Sequence, residues 1–322
     1  SLGGITTTRR DQIASSTTAV ELNPDGPKRY MDSTAIRIDT VVGGYDVVLF
    51  ANDSMNDERF FGDYDATSLN DVDVALTENM SDETGAGLEI SSNNDGRLNW
   101  IAGVNYFEQE VNYDFDLRLG VIGGGNVATS TAWSTYNLET YGIFASVDYE
   151  ISDRLTLTVG GRYTKEDKDV LTRCSSYPEY AQNARVCLGA AAKPNFIAES
   201  WSSFDPKATL TYNLEDNGII YATFATGFKS GGFNQPANRG SVPLEPEEIE
   251  MIELGYKTEL SDTLRLTSSL FMYDYKDLQV TRAASGGGTV TTENATDSDI
   301  MGLDFDITWL ASENLMIRFG GE

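Results

Sequence analysis

The 322-residue chain contains no histidine and only two cysteines. That removes most routes to catalysis at neutral pH. Hydrolytic sites generally need an imidazole base, and a zinc site cannot be completed by two sulfurs alone. Cys174 and Cys187 lie thirteen positions apart in one polar stretch. In an envelope protein such a pair suggests a disulfide closing the intervening loop, worth about 3 kcal/mol by loop entropy. Two free thiols are the alternative. Carboxylates are the abundant reactive groups, gathered at Asp53, Asp57, Glu58, Asp63, Asp65, Asp71 and Asp73. Divalent-cation binding is one reading of such clusters, but no twelve-residue calcium-loop spacing is present. A solvated acidic connection accounts for them. No pair of acids stands out as a general acid and base. The expectation is a protein that is not an enzyme and has neither a metal site nor a cofactor.

The charge balance narrows the partners. There are 50 acidic and 23 basic residues, a net charge of -27. Phosphate recognition needs lysine and arginine, so nucleic acid is excluded as a partner.

The elements that carry these side chains show a period of two. From Tyr141 to Ile151 the odd positions read Tyr, Ile, Ala, Val, Tyr, Ile, and the even ones Gly142, Phe144, Ser146, Asp148 and Glu150. Leu155, Leu157, Val159 and Tyr163 alternate with Thr156, Thr158, Arg162 and Thr164. Leu98, Trp100, Ala102, Val104 and Tyr106 form a third such row, and Leu303, Phe305, Ile307 and Trp309 a fourth. Period two is a strand with one apolar face. Charged residues on the other face need water or partners. No run approaches the ~20 apolar residues of a membrane helix, yet alternation hides hydrophobicity from any average. A wet face, a dry face and aromatics near strand ends together describe a transmembrane β-barrel.

Twelve strands are expected, at about 34–42, 45–53, 86–92, 97–109, 137–151, 154–168, 200–213, 217–228, 248–260, 263–281, 292–310 and 313–321. Short turns such as Gly43-Gly44, Ser152-Asp153 and Ser261-Asp262 carry hairpin residues. They alternate with long connections at 54–85, 110–136, 169–199, 229–247 and 282–291. Outer-membrane barrels sort their turns in this way, with short turns in the periplasm and long loops outside. Residues 1–33 then read as an external loop segment and 34–322 as part of an antiparallel barrel. The start at Ser1 without a signal peptide, and the stop at Glu322 after an outward-running strand, suggest an internal piece of a longer protein.

Several short motifs recur in a fixed order. Residues 221–234 read Tyr-Ala-Thr-Phe-Ala-Thr-Gly-Phe-Lys-Ser-Gly-Gly-Phe-Asn, followed by Leu244-Glu245-Pro246-Glu247 and Glu253-Leu254-Gly255-Tyr256-Lys257. Then come Tyr273-Asp274-Tyr275-Lys276-Asp277-Leu278-Gln279-Val280, Glu293-Asn294-Ala295 and Gly302-Leu303-Asp304, with Gly160-Gly161-Arg162-Tyr163-Thr164-Lys165-Glu166 upstream. This series resembles the barrel domain of TonB-dependent outer-membrane receptors of the siderophore or iron-complex type. The resemblance implies a plugged barrel of ~22 strands in a Gram-negative outer membrane. It would import a scarce nutrient with energy from the TonB complex, which engages an N-terminal plug region missing here. The last strands are missing as well. Twelve strands alone would leave two unpaired edges that lipid does not tolerate.

In that family, ligand contacts come from the plug apex and from aromatics of the loops and upper wall. The positions that match here are Tyr64, Tyr177, Tyr180, Phe228 and Phe233, with Lys229, Asn234, Gln235 and Arg239 beside them. Aromatic rings offer contact area to a rigid ligand. Trp133, Tyr136 and Trp201 read instead as members of the outer aromatic girdle, and the glycines of 227–234 as aids to strand curvature. Three uses remain open for such a barrel: import of a ferric siderophore, import of a carbohydrate or other non-iron ligand, and a passive porin-like channel. An acidic mouth disfavours anionic ligands, but the segments outside this chain could reverse that sign.

Overall fold

The computed structural model describes residues 28–63, 72–94, 96–120, 127–176, 195–215, 217–234, 242–283 and 290–322. In these residues the chain runs β1 (Lys28–Val42), β2 (Tyr45–Asp63), β3 (Val72–Ser92), β4 (Leu98–Gly120), β5 (Val127–Ser152), β6 (Leu155–Ser176) and β7 (Asn195–Asn213). It continues through β8 (Gly218–Lys229), β9 (Glu247–Ser261), β10 (Leu264–Lys276), β11 (Gln279–Ala283), β12 (Val290–Asn294), β13 (Ser298–Ser312) and β14 (Leu315–Gly321). Twelve of these form one antiparallel sheet in chain order, with β10 passing directly to β13, while β11 and β12 pair only with each other. The sheet is open, with β1 and β14 at its edges.

The tight turns follow from their residues. Gly43 and Gly44 have φ of 61° and 87°. Two successive left-handed residues give a turn whose twist matches the flanking strands, and glycine adopts it without strain. Between β5 and β6, the Ser152 hydroxyl accepts from the Leu155 backbone N–H at 3.2 Å, a local bond typical of serine in turns. Adjacent turns are tied by Arg97–Asp153 at 3.0 Å and Arg154–Glu215 at 2.7 Å.

Register aligns the apolar positions into rows. Ile38, Leu49, Leu88, Val104, Ile143 and Tyr163 stand opposite one another on consecutive strands. Phe224, Ile252, Met272 and Met301 do the same across β8, β9, β10 and β13. Nothing covers this face among the described residues: Ile143 is 55% exposed, Ile252 60% and Met301 82%. Val170 and Phe271 are the described apolar side chains that are buried. A soluble monomer rarely shows an apolar patch beyond a few hundred Å², so the surroundings this face requires are acyl chains. Aromatic rings bound it on both sides. Tyr106 and Tyr141 meet with ring centroids 5.1 Å apart on one side, and Tyr45 and Trp100 at 5.7 Å on the other. Tyr141 and Tyr149 are eight residues apart on β5. At ~3.4 Å per residue and a tilt of ~40° that is about 21 Å along the membrane normal, close to the ~25 Å apolar band of such barrels.

The opposite face is polar and flat. Rings there lie across neighbouring glycines: Phe50 over Gly87, Phe144 over Gly103, Tyr221 over Gly255 and Phe271 over Gly302, each where a Cβ would overlap the ring. Glycine thus lets an aromatic side chain lie against the wall instead of standing into the lumen.

The strands are longer than the alternation predicts. β3 to β6 span 21, 23, 26 and 22 residues, so most of the expected connections 54–85 and 110–136, and part of 169–199, are strand. Beyond the tyrosine belt the outer positions turn polar, as at Glu108, Glu110, Asn137, Glu139, Lys165 and Asp167, so the ladder persists without an apolar signature. Residues 28–33, expected in a loop, belong to β1. The expected strand 263–281 breaks at Asp277, whose φ is 52°, a conformation that aspartate tolerates better than most residues. The expected strand 292–310 likewise divides into β12 and β13.

Candidate functional site

Past the belt, on the polar face, the strands surround a cavity of about 610 Å³. β4 contributes Gln109, Val111 and Tyr113, β5 contributes Ser134 and Tyr136, β6 contributes Lys168, and Lys229 comes from the end of β8. The segment Ser230–Phe233, Leu244 and the β11–β12 hairpin complete the lining through Gln279, Thr281 and Thr292. The volume falls in the range of ligand pockets, ~300–1,000 Å³.

A fixed network holds these parts together. Lys168 is mostly buried beside Glu166, with Nζ 3.0 Å from the carboxylate. Its ammonium donates to the Gly231 carbonyl at 2.9 Å and to the Ser230 hydroxyl, which in turn donates to Glu166. The same ammonium lies 5.5 Å from the centre of the Trp201 ring, an arrangement that favours a cation. Trp201 meets Phe233 with ring centroids 5.8 Å apart. Gly231 is a close approach: a Cβ there would run into the Leu244 carbonyl and the Trp201 ring. Lys168 is therefore spent on holding the chain after β8 against the wall.

Two asparagines anchor the hairpin in one way. Asn234 donates from Nδ2 to the Thr292 carbonyl at 2.8 Å and accepts the Thr292 N–H at 2.7 Å. Asn294 accepts the Glu245 N–H at 2.9 Å and donates to the Glu245 carbonyl at 2.9 Å. Each side-chain amide copies the paired bonds that a neighbouring strand would make, satisfying backbone groups that would otherwise lack partners. Gln279 adds donations to the carbonyls of Ser230 at 3.1 Å and Glu245 at 3.0 Å.

The sequence candidates separate on this geometry. Lys229 and Phe233 line the cavity. Asn234 is engaged with the hairpin backbone. Phe228 shares the register of Phe224 on β8 and so belongs to the apolar face. Tyr64, Tyr177, Tyr180, Gln235, Arg239 and Cys187 lie outside the described residues, as do the side chains of Trp133 and Cys174. The girdle expectation for Tyr136 and Trp201 is corrected. Tyr136 lines the cavity and Trp201 packs beside it on the polar face. Parity carried this signal: Tyr136 is five residues from Tyr141 and Trp201 three from Phe204, and odd spacings lie on opposite faces of a strand. Tyr136 stands on the loop side of the belt. Burial, with Glu166 and Asp169 adding to it, pushes its phenol up to about 12, so it is a neutral hydrogen-bond donor. Lys168 and Glu166 were missed because a Lys-Glu-Asp-Lys run reads as solvated surface.

Known proteins match this architecture. The sequence model of the family described as TonB dependent receptor-like, beta-barrel, matches residues 6–321. The rhizobactin receptor of Rhizobium meliloti (strain 1021) is 26% identical over 170 residues, covering 45% of this chain and 22% of that receptor. The probable TonB-dependent siderophore receptor PiuA of Acinetobacter baumannii is 25% identical over 180 residues, covering 53% of this chain and 22% of that protein. The chain thus spans about a fifth of the length of these curated relatives. In fold it is similar to the ferric yersiniabactin uptake receptor FyuA from Yersinia pestis, with TM-score 0.73 and 16% identity over 91% of this chain and 42% of that one. With twelve strands of lipid-facing barrel wall and a family match over nearly its whole length, the chain belongs to the TonB-dependent receptor-like β-barrel family.

Proposed function

We propose that the full-length protein is a Gram-negative outer-membrane receptor that imports a ferric siderophore or similar iron complex, energised by the TonB complex. The observation that carries this reading is the cavity on the lumen face beyond the tyrosine belt, of ligand size and held by a fixed network. One of the relatives is named as a probable TonB-dependent siderophore receptor, which supports an iron complex over a carbohydrate. The apolar face fits acyl chains and the long strand ends fit the extracellular side.

The test is growth under iron limitation of a deletion strain supplied with single ferric chelates. Loss of growth on one chelate, restored by the full-length gene only where TonB is functional, is the expected result. Growth indifferent to every iron source, or a steady open-channel conductance of the purified protein in bilayers, would defeat it.

A further inference from the structure

The lipid-facing surface is level on one wall and hollow on the other. Across β9, β10 and β13 two successive rows are filled by large side chains: Leu254, Leu270 and Leu303 stand beside Ile252, Met272 and Met301. Across β2 to β6 large and small rows alternate. Ala51 faces Ala86, and four residues further along the strands Ala102, Ala145 and Gly161 share a row. Between them stand Leu88, Val104, Ile143 and Tyr163. Two cavities result. One, of about 800 Å³, opens over Ala51 and Ala86 and is rimmed by Ile36, Tyr106 and Tyr141. The other, of about 600 Å³, opens over Ala102, Ala145 and Gly161 and is rimmed by Trp100 and Phe204. The central row of Leu88, Val104, Ile143 and Tyr163 lines both, and neither lining carries a charged side chain. Each volume is that of a ligand pocket.

The polar end of the first cavity is fixed at the belt. The Tyr106 hydroxyl donates to Glu108 at 2.9 Å and the Tyr141 hydroxyl to Glu139 at 3.0 Å, at the height of the headgroups. The second cavity lies deeper, toward Trp100. Both are continuous with the surface that meets acyl chains, so an acyl chain is what fills them. Atoms around a void forfeit their contacts on that side. A chain seated in a hollow touches protein on several sides, whereas one against the level wall touches it on one. We infer that the two cavities form one binding site for a lipid with two or more acyl chains, its headgroup at Tyr106 and Tyr141 and a chain in each cavity, the central row standing between them. The site is on the outside of the wall and is independent of what the receptor imports. Its lipid exchanges more slowly than its neighbours in the bilayer.

Native mass spectrometry of the full-length receptor tests it. The protein is washed in detergent until loosely held lipid is gone, then titrated with dipalmitoyl phosphatidylethanolamine. The wild type should bind one molecule. Ala86→Trp and Ala145→Trp, each filling one cavity, should weaken that binding at least about tenfold. Leu254→Trp places the same ring on the level wall and should leave it unchanged. No probe bound by the wild type, or equal binding by all three variants, would overturn the inference. The three substituted positions face lipid, and folding is checked by heat-modifiable migration. Should a tryptophan variant fail that check, Ala86→Leu and Ala145→Leu fill less of each cavity and carry the same expectation.

Discussion

The wall of β3 to β6 and the wall of β8 to β10 solve one problem differently. Both cross the membrane and then must satisfy their backbone groups outside it. In the first wall the strands simply continue, 21 to 26 residues long, each pairing with its neighbours well past the tyrosine belt. In the second the strands stop at 12 to 15 residues. The chain beyond them folds inward, and side chains take over the work of a ladder: Asn234 on Thr292, Asn294 on Glu245, Gln279 on Ser230. A ladder is indifferent to side-chain identity, because its bonds are main chain to main chain. The folded segment needs particular residues at particular places. Substitutions should therefore be tolerated above the belt of the first wall, apart from the lumen-side Tyr136, Glu166 and Lys168, and resisted in the segment after β8.

The largest effect is expected where both walls meet lipid. Ala145 on β5 is exposed on the apolar face midway between Tyr141 and Tyr149. Ala145→Arg should destabilise the full-length receptor by about 2–4 kcal/mol in a denaturant titration from vesicles. Asn137→Arg on the same face of the same strand, beyond the belt, should cost about 0–1 kcal/mol. Equal costs would mean that the belt does not mark the membrane boundary, and the contrast between crossing and continuing strand would fail.

Next comes Gly231→Val. The added side chain would meet backbone at the Leu244 carbonyl as well as the Trp201 ring, so relief needs movement of the chain rather than of a rotamer. Overpacking of this kind costs about 1–3 kcal/mol. Because the latch is separate from the ladder, the loss should appear as protease cleavage within 279–294 while β4 to β6 keep their hydrogen-exchange protection. Valine at Gly232, where a Cβ meets open space, is the matched control and should be nearly silent.

These two walls also explain what could be read without coordinates. The apolar rows were legible because lipid and lumen impose period two; Tyr141 to Ile151 shows it residue by residue. The Gly43–Gly44 turn was legible because few other residues adopt its conformation. The upper halves of β3 to β6 were not, since their outer positions turn polar and the alternation that lipid imposes ends there. The break at Asp277 was hidden for a different reason: a single left-handed residue interrupts the ladder without disturbing the flanking alternation. The pairing of Asn234 with Thr292 joins residues 58 apart through a side chain, which no periodicity encodes. The order of motifs marked that region as special, and the coordinates show it binding the chain to itself.

The smallest expected effect sharpens the comparison most. Asn234→Ala removes both bonds to Thr292, leaving a partly buried peptide group with water as its only replacement partner. A loss of about 1–2 kcal/mol is expected, confined to the β11–β12 hairpin. Its signature is faster amide exchange at Thr292 with unchanged exchange in β5. Asn234→Asp separates the two bonds, because a carboxylate still accepts the Thr292 N–H but cannot donate to its carbonyl. If the bond accepted from the Thr292 N–H alone holds the hairpin, the aspartate variant should exchange like the wild type. If the paired geometry holds it, the aspartate variant should exchange as fast as alanine, and the side-chain amide is then a true substitute for the missing strand.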